Sequence, residues 1–334
     1  MTATAAVKFK FKYLDDNGNE TGFLSKKGSF DGETLVLDEA RIPIVAILRA
    51  QRRFNRLVLT LLQQDGSTTM AGVAITGGNL AGLMELLNQC TSDTWAQMRK
   101  DALAKEGRAG EFRTETCPYC QATIDLTLFP PTPQIYCSYC ETIVTKTGTA
   151  PLDEKTYRVC ERCGLYAQPK GFTTFYFVFL IVVFHWSYRR TYMCNACMRG
   201  EAWKMFFGNF LFVLGLPFAI VQLVRAYFGG SSLSRSFAGL DKANALAKRG
   251  KIEAAAAEYE LIEGRLTHCA GVRYDRGVAH VTAGQSDEAA NHLGRALDDC
   301  SNYTPAYNAL CAVLEKLGRT AELNALRKRW GADS

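Results

Sequence analysis

Cys160-Glu-Arg-Cys163 and Cys194-Asn-Ala-Cys197 enclose thirty residues, and eighteen of these, GFTTFYFVFLIVVFHWSY at 171–188, contain no Asp, Glu, Lys or Arg. By length alone the stretch qualifies as a membrane-spanning helix. A single crossing, however, would leave Cys163 and Cys194 on opposite sides of a bilayer, and one metal ion cannot be bound from both. If the four thiolates share an ion, the chain must return to its starting side. A composition dense in Phe, Tyr, Val, Ile and Thr favours strands. The spacing therefore predicts a long β-hairpin rising from a four-cysteine site, with apolar faces that pack on the next segment or dip into a lipid interface.

A more compact set lies upstream. Cys117-Pro-Tyr-Cys120 and Cys137-Ser-Tyr-Cys140 are separated by sixteen residues, the spacing of a four-cysteine zinc site. Four thiolates in tetrahedral array leave no open position, so such a site braces the fold and does not activate water. Tetrahedral sulfur also suits iron, and zinc is the favoured ion. Both sets together predict two structural zinc ions. The first set resembles zinc ribbons, with Glu141 where the second knuckle usually has glycine. The remaining cysteines, Cys90, Cys269, Cys300 and Cys311, sit singly in helical patterns and read as small buried hydrophobes.

The amino-terminal third alternates at period two. In Val7 to Tyr13 the lysines Lys8, Lys10 and Lys12 fall on one face, and Val7, Phe9, Phe11 and Tyr13 on the other. Further strands are predicted at 21–24, 34–37, 44–49, 57–63 and 69–75. A helix follows, capped by Asn79 and carrying Leu80, Leu83, Met84, Leu87 and Cys90 at helical spacing. A small antiparallel barrel closed by one helix over residues 1–108 is the simplest assembly. The order, with GSFDGETLVLDEARIPIVAILRA leading into NRLVLTLL, resembles bacterial pleckstrin-homology-like domains. That resemblance implies lipid headgroup binding by Lys8, Lys10, Lys12, Lys26 and Lys27.

The first thirty residues lack an apolar core segment, so no cleaved signal peptide is expected and the amino terminus is expected in the cytosol. Met205 to Val224 is a twenty-residue charge-free run between Lys204 and Arg225, interrupted by Gly215 and Pro217. Since no other element offers apolar surface to cover it all round, residues 201–229 are expected to enter a membrane as one kinked span or a re-entrant hairpin. Seven basic and two acidic residues lie within Arg158 to Lys204, and the whole chain carries +6. That local excess, Arg189 and Arg190 included, points to anionic lipid before nucleic acid. The sequence of features, CxxC, Thr-Phe-Tyr at 174–176, Arg189-Arg190, CxxC and Trp203, resembles a zinc-ribbon and membrane-segment unit of bacterial membrane proteins without an assigned activity. A membrane location, with the amino-terminal, zinc and carboxy-terminal parts facing the cytoplasm, is the expectation.

Gly250, Gly284 and Gly318 recur at a spacing of thirty-four, as do Ala243, Gly277 and Cys311, and Ala255, Ala289 and Leu323. A fixed period of this length, with small residues where paired helices approach, predicts a helical solenoid. Residues 238–330 resemble three tetratricopeptide repeats, although the usual first-helix tryptophan is Gly239, Arg273 and Tyr307. The resemblance implies a concave surface for a partner's peptide. His268, His280 and His292 have no partner motif and read as core or surface residues.

These readings combine into a multidomain α+β chain: barrel plus helix, a zinc ribbon at 112–145, a second ribbon with its hairpin at 156–200, a hydrophobic segment and a solenoid. No nucleophile elbow, phosphate-binding glycine loop or His-Glu-x-x-His occurs, so an enzyme is not expected and no catalytic residue is assigned. The favoured function is a membrane-associated zinc-binding adaptor that recruits a protein partner, with self-association left open. The alternative is nucleic-acid binding by the ribbons through Arg158, Arg162, Lys170, Arg189 and Arg190. A redox switch using the cysteine pairs is the third reading.

Overall fold

A computed structural model describes residues 6–15, 18, 20–53, 55–146, 156–180, 183–210, 216–228 and 233–331, without the side chains of 176–190 and 210. The chain forms two compact units, Met1–Thr127 with Cys137–Cys140, and Leu128–Tyr136 with Glu141–Ser334.

The first unit begins with seven antiparallel strands, β1 (Val7–Tyr13), β2 (Lys26–Phe30), β3 (Thr34–Leu37), β4 (Ala40–Pro43), β5 (Ile47–Arg53), β6 (Arg56–Leu62) and β7 (Thr68–Gly77). Their order is β4-β3-β2-β1-β7-β6-β5. The sheet corrects the expected barrel: β4 and β5 are its two edges, joined through a single turn at Ile44–Ala46, and among the described residues no hydrogen-bonded closure links them. Pro43, which has no N–H to offer a ladder, ends the β4 edge. Helix α1 (Leu80–Lys105) covers the sheet instead, burying Leu83, Met84 and Leu87 against Phe9, Phe11, Phe30, Leu35 and Ile47. Its first turn is capped by the Asn79 side chain, which accepts from Gly82 N at 3.0 Å. Trp95 fixes the other end of the contact by donating to Ile47 O at 2.9 Å. Two short strands, β8 (Thr114–Thr116) and β9 (Thr123–Asp125), follow and pair with each other.

Strand β10 (Gln134–Cys137), whose last residue belongs to the first unit, pairs with β11 (Thr142–Thr145), and in the second unit β12 (Arg158–Val159) pairs with β13 (Tyr166–Ala167). The 171–188 stretch forms part of a two-stranded antiparallel hairpin, β14 (Lys170–Leu180) and β15 (Val183–Met193), in unbroken register from Lys170↔Met193 to Leu180↔Val183. Both cysteine knuckles therefore emerge at the same end of the hairpin.

The expected membrane segment is corrected. Among the described residues no helix is long and apolar enough to cross a membrane. The run is divided between α2 (Asn195–Phe210) and α3 (Leu216–Phe228), and residues 211–215, where the turn was expected, lie outside the described part. At about 1.5 Å per residue α3 reaches only about two thirds of a hydrocarbon core. The missing apolar partner is β14: Ala202, Met205 and Ala219 are buried with Phe172, and Phe175 packs against Phe218 at 5.3 Å between ring centroids. Asn209, fully buried, donates to Phe175 O at 2.9 Å and to Met205 O at 2.7 Å. The membrane location inferred from this segment falls with it. The outer side of α2 and α3 stays apolar and open, with Phe207 65%, Val221 61% and Phe228 83% exposed.

Six helices complete the chain: α4 (Leu240–Lys248), α5 (Ile252–Glu263), α6 (Ala270–Thr282), α7 (Ser286–Asp299), α8 (Thr304–Lys316) and α9 (Thr320–Arg329). Gly250, Gly284 and Gly318 each stand between the helices of a pair, with φ of 73°, 75° and 66°. That left-handed conformation costs a residue with a Cβ and suits glycine, so the period of thirty-four is a repeated helix stop. Small residues at the equivalent inner positions let the pairs close: Gly277 lies so near Leu293 that a Cβ there would approach its Cγ to 2.7 Å.

Candidate metal centres and the surfaces around them

The two cysteine sites are built alike. At the first, Gln121 N donates to Cys117 O (2.9 Å) and Cys117 N to Ala122 O (2.9 Å). At the second, Gly164 N donates to Cys160 O (2.9 Å) and Cys160 N to Leu165 O (2.8 Å). In both, the residue after the second cysteine turns left-handed, Gln121 at φ 59° and Gly164 at 74°. Glu141 takes the same conformation at 62°, so the unusual residue in that knuckle keeps the turn at the expense of strain.

Cys117, Cys120, Cys137 and Cys140 place their sulfurs within 4.8 Å of one another, and so do Cys160, Cys163, Cys194 and Cys197. Individual Sγ–Sγ distances are 3.7 Å for Cys117–Cys140, 3.6 Å for Cys120–Cys137 and 3.8 Å for Cys163–Cys194. A tetrahedron with metal–sulfur bonds of about 2.3 Å has edges of about 3.8 Å, so both sets fit a zinc ion. Cys117, Cys137, Cys160, Cys194 and Cys197 are buried and the other three half-buried. Crowding sets the electrostatics: Cys117, then Cys120 and Cys140, push the Cys137 thiol far above the ordinary range, and Cys160, Cys163 and Cys197 do the same to Cys194. Sulfurs so close cannot all be thiolates without a cation between them. All ligand positions are protein sulfurs, so these are two closed structural zinc sites.

Each site is fastened to its surroundings. In the first unit Thr123 N donates to Ser92 Oγ at 2.8 Å, its hydroxyl to Asp93 at 2.6 Å, and Arg49 to Ser138 O at 3.0 Å. In the second unit Glu161 N donates to Tyr192 O and Tyr192 N to the Glu161 carboxylate, both at 3.1 Å, which closes the knuckle onto β15.

The second ribbon is also set into the helical stack. Tyr166 N donates to Asp275 Oδ1 at 2.5 Å, Asn244 Nδ2 to Tyr166 O at 2.9 Å, Tyr259 OH to Asn244 Oδ1 at 2.7 Å, and Tyr274 OH to Gly164 O at 2.9 Å. Burial raises the Asp275 carboxyl well above its usual range. Nearby, Tyr136 of β10 exchanges hydrogen bonds with the Asn302 side chain, both 2.8 Å, and Ala270 N donates to Gln134 Oε1 at 2.9 Å. The second ribbon thus covers the α4–α6 side of the stack, and Gln134 and Tyr136 meet the turns ahead of α6 and α8. None of these anchors was read from sequence. The available signal was polar residues at Asp241, Asn244 and Lys248, spaced to share one helical face.

Of the lysines singled out at the amino terminus, Lys8, Lys10 and Lys27 line a cavity of about 850 Å³ with Ser29 and Gly77. Lys10 stands directly across from Lys27. Lys12 instead pairs with Glu20 at 3.5 Å, and Lys26 with Asp38. The side chains of Arg189 and Arg190 lie outside the described part. Arg158 stacks over the Tyr192 ring at 4.1 Å and Arg162 pairs with Glu201 at 3.1 Å. The three histidines find local partners: His268 meets Asp299 at 3.3 Å, His280 meets Gln285 at 2.6 Å, and His280 stacks on His292 at 5.2 Å.

Comparison with protein-family models, curated proteins and solved structures gives no match for this chain.

Proposed function

We propose that the protein is a non-catalytic adaptor, braced by zinc, whose helical stack holds a segment of a protein partner. The period-34 glycines and three helix pairs support reading the stack as tetratricopeptide repeats. The faces of α4 and α6 that carry Asp241, Asn244 and Asp275 are in contact with the second ribbon, so the partner surface is sought elsewhere on the stack. The observation that carries the reading is a groove of about 510 Å³ across α7, α8 and α9. Its floor is Leu297, Leu310, Leu314 and Leu326, and Asp298 and Arg319 stand among its charged residues. An apolar floor with charges of both signs suits an amphipathic peptide segment.

Ala325 lines the groove, and Ala325→Trp should fill it without touching either zinc site. Proteins retained on immobilised full-length chain are compared for the wild type and this variant. The adaptor reading expects at least one retained protein whose recovery drops about tenfold with the variant. Identical recovery profiles would sink it. Nucleic acid is the weaker reading, because Arg158 and Arg162 already have partners within the chain. Binding of duplex or single strands with a steep salt dependence would reverse that order.

A further inference from the structure

A cation reaches a zinc ligand from outside the second ribbon. Lys248, the last residue of α4, places Nζ 2.9 Å from Cys197 Sγ. The two share a cavity of about 210 Å³ with Arg162, Cys163, Glu201 and Lys204. Arg162 and Lys204 are both held by Glu201, each at 3.1 Å. Among the described residues the Lys248 ammonium has no carboxylate partner; its hydrogen bond is to the sulfur. Two further residues on the same face of α4 fix the approach. Asp241 accepts from the Asn195 side chain at 2.6 Å, at the start of the helix that carries Cys197, and Asn244 donates to Tyr166 O at 2.9 Å. Residues at i, i+3 and i+7 lie on one side of a helix, so α4 grips the ribbon along a single line.

Four thiolates around a divalent ion leave two negative charges in a poorly solvated site. An N–H donor carrying positive charge offsets one of them and holds its sulfur in place, and such outer partners strongly affect retention of the metal. We infer that Lys248 is an outer-sphere ligand of the second zinc site, through which metal occupancy of that site and folding of the helical stack are coupled. The inference does not depend on the adaptor reading. Loss of the second zinc would loosen α4, and loss of the Lys248 charge would loosen the second zinc while leaving the first unaffected.

The test uses the full chain, loaded with zinc and checked for two ions per chain by elemental analysis. Release to a chromogenic chelator is followed in time, and the cadmium-substituted protein is observed by ¹¹³Cd magnetic resonance, which gives a signal for each site. Lys248→Met, Lys248→Gln and Lys248→Arg are compared. The expected result is one of two release phases accelerated about tenfold or more in Lys248→Met. Lys248→Gln should be intermediate and Lys248→Arg near the wild type, with one cadmium resonance shifted and the other unmoved. Should Lys248→Met fail to fold, the difference between Gln and Arg decides the same point. Release and resonances unchanged across the variants, or both phases accelerated equally, would overturn the inference. Failure of the wild type to bind two ions would instead refute the zinc assignment itself.

Discussion

Gly271→Ala places a methyl group where the second ribbon meets the helical stack. In an open helix the change from glycine to alanine gains about 1 kcal/mol. Here a Cβ would lie 2.5 Å from Cδ1 of Tyr166 and 2.6 Å from Cε1 and Cγ, face-on to the ring. The ring would have to withdraw by about 1 Å to reach ordinary contact. It is poorly placed to do so. The Tyr166 N–H is held by Asp275, its carbonyl by Asn244, and its ring by Tyr157, with centroids 6.0 Å apart. Overpacking of a core contact costs about 1–3 kcal/mol, and each buried hydrogen bond lost on displacement about 1 kcal/mol more. The net expectation is destabilisation by about 1–3 kcal/mol. Gly294→Ala is the control, because Gly294 lies within α7 with nothing within 4 Å of its added Cβ, and that change should stabilise by about 0.5–1 kcal/mol. Guanidinium unfolding of the zinc-loaded chain, read with amide exchange of α6, measures both. The two substitutions should move in opposite directions. A Gly271→Ala variant as stable as Gly294→Ala would refute the docking of the ribbon on α6.

Glu141→Gly relieves a left-handed residue, worth about 1–2 kcal/mol, against about 0.5–1 kcal/mol of added chain entropy, so thermal unfolding should shift upward by the equivalent of about 0.5–1 kcal/mol. Burial lowers the His292 imidazole to about 4 from an ordinary 6.5. Between those values the unfolded chain binds a proton that the folded chain does not, so stability should fall as pH drops from 6.5 toward 4, and denaturant midpoints of His292→Gln should show a flatter acid limb. Cys140→Ser should leave one zinc per chain by elemental analysis with the Cys160 site retained, since the two ligand sets share no residue. Asp275→Asn should be tolerated better than Asp275→Ala, because the amide keeps an acceptor for Tyr166 N and burial, which raises the carboxyl, lessens the cost of losing its charge; unfolding midpoints compare the two.

Local chemistry was legible in the sequence. The four Cys-x-x-Cys pairs fix their own ligands through spacing, and the need for Cys163 and Cys194 to reach one ion dictates a returning hairpin at 171–188. The glycines at 250, 284 and 318 announce a repeated helix stop, because few other residues adopt that backbone cheaply. The fate of the apolar surface was not legible. Hydrophobic patterning states that 205–224 must be covered, but a lipid tail and the aromatic side chains Phe172 and Phe175 of β14 satisfy it equally, and only the folded chain brings β14 against α2 and α3. The same holds for the sheet, where alternation gives each strand its inner face, yet α1 and not a closing strand seals the core. It holds again for Lys248, Asn244 and Asp275, ordinary polar residues of a helical repeat until the ribbon lies against them. Spacing along the chain constrains what a residue can do, and long-range contact decides which partner it does it with.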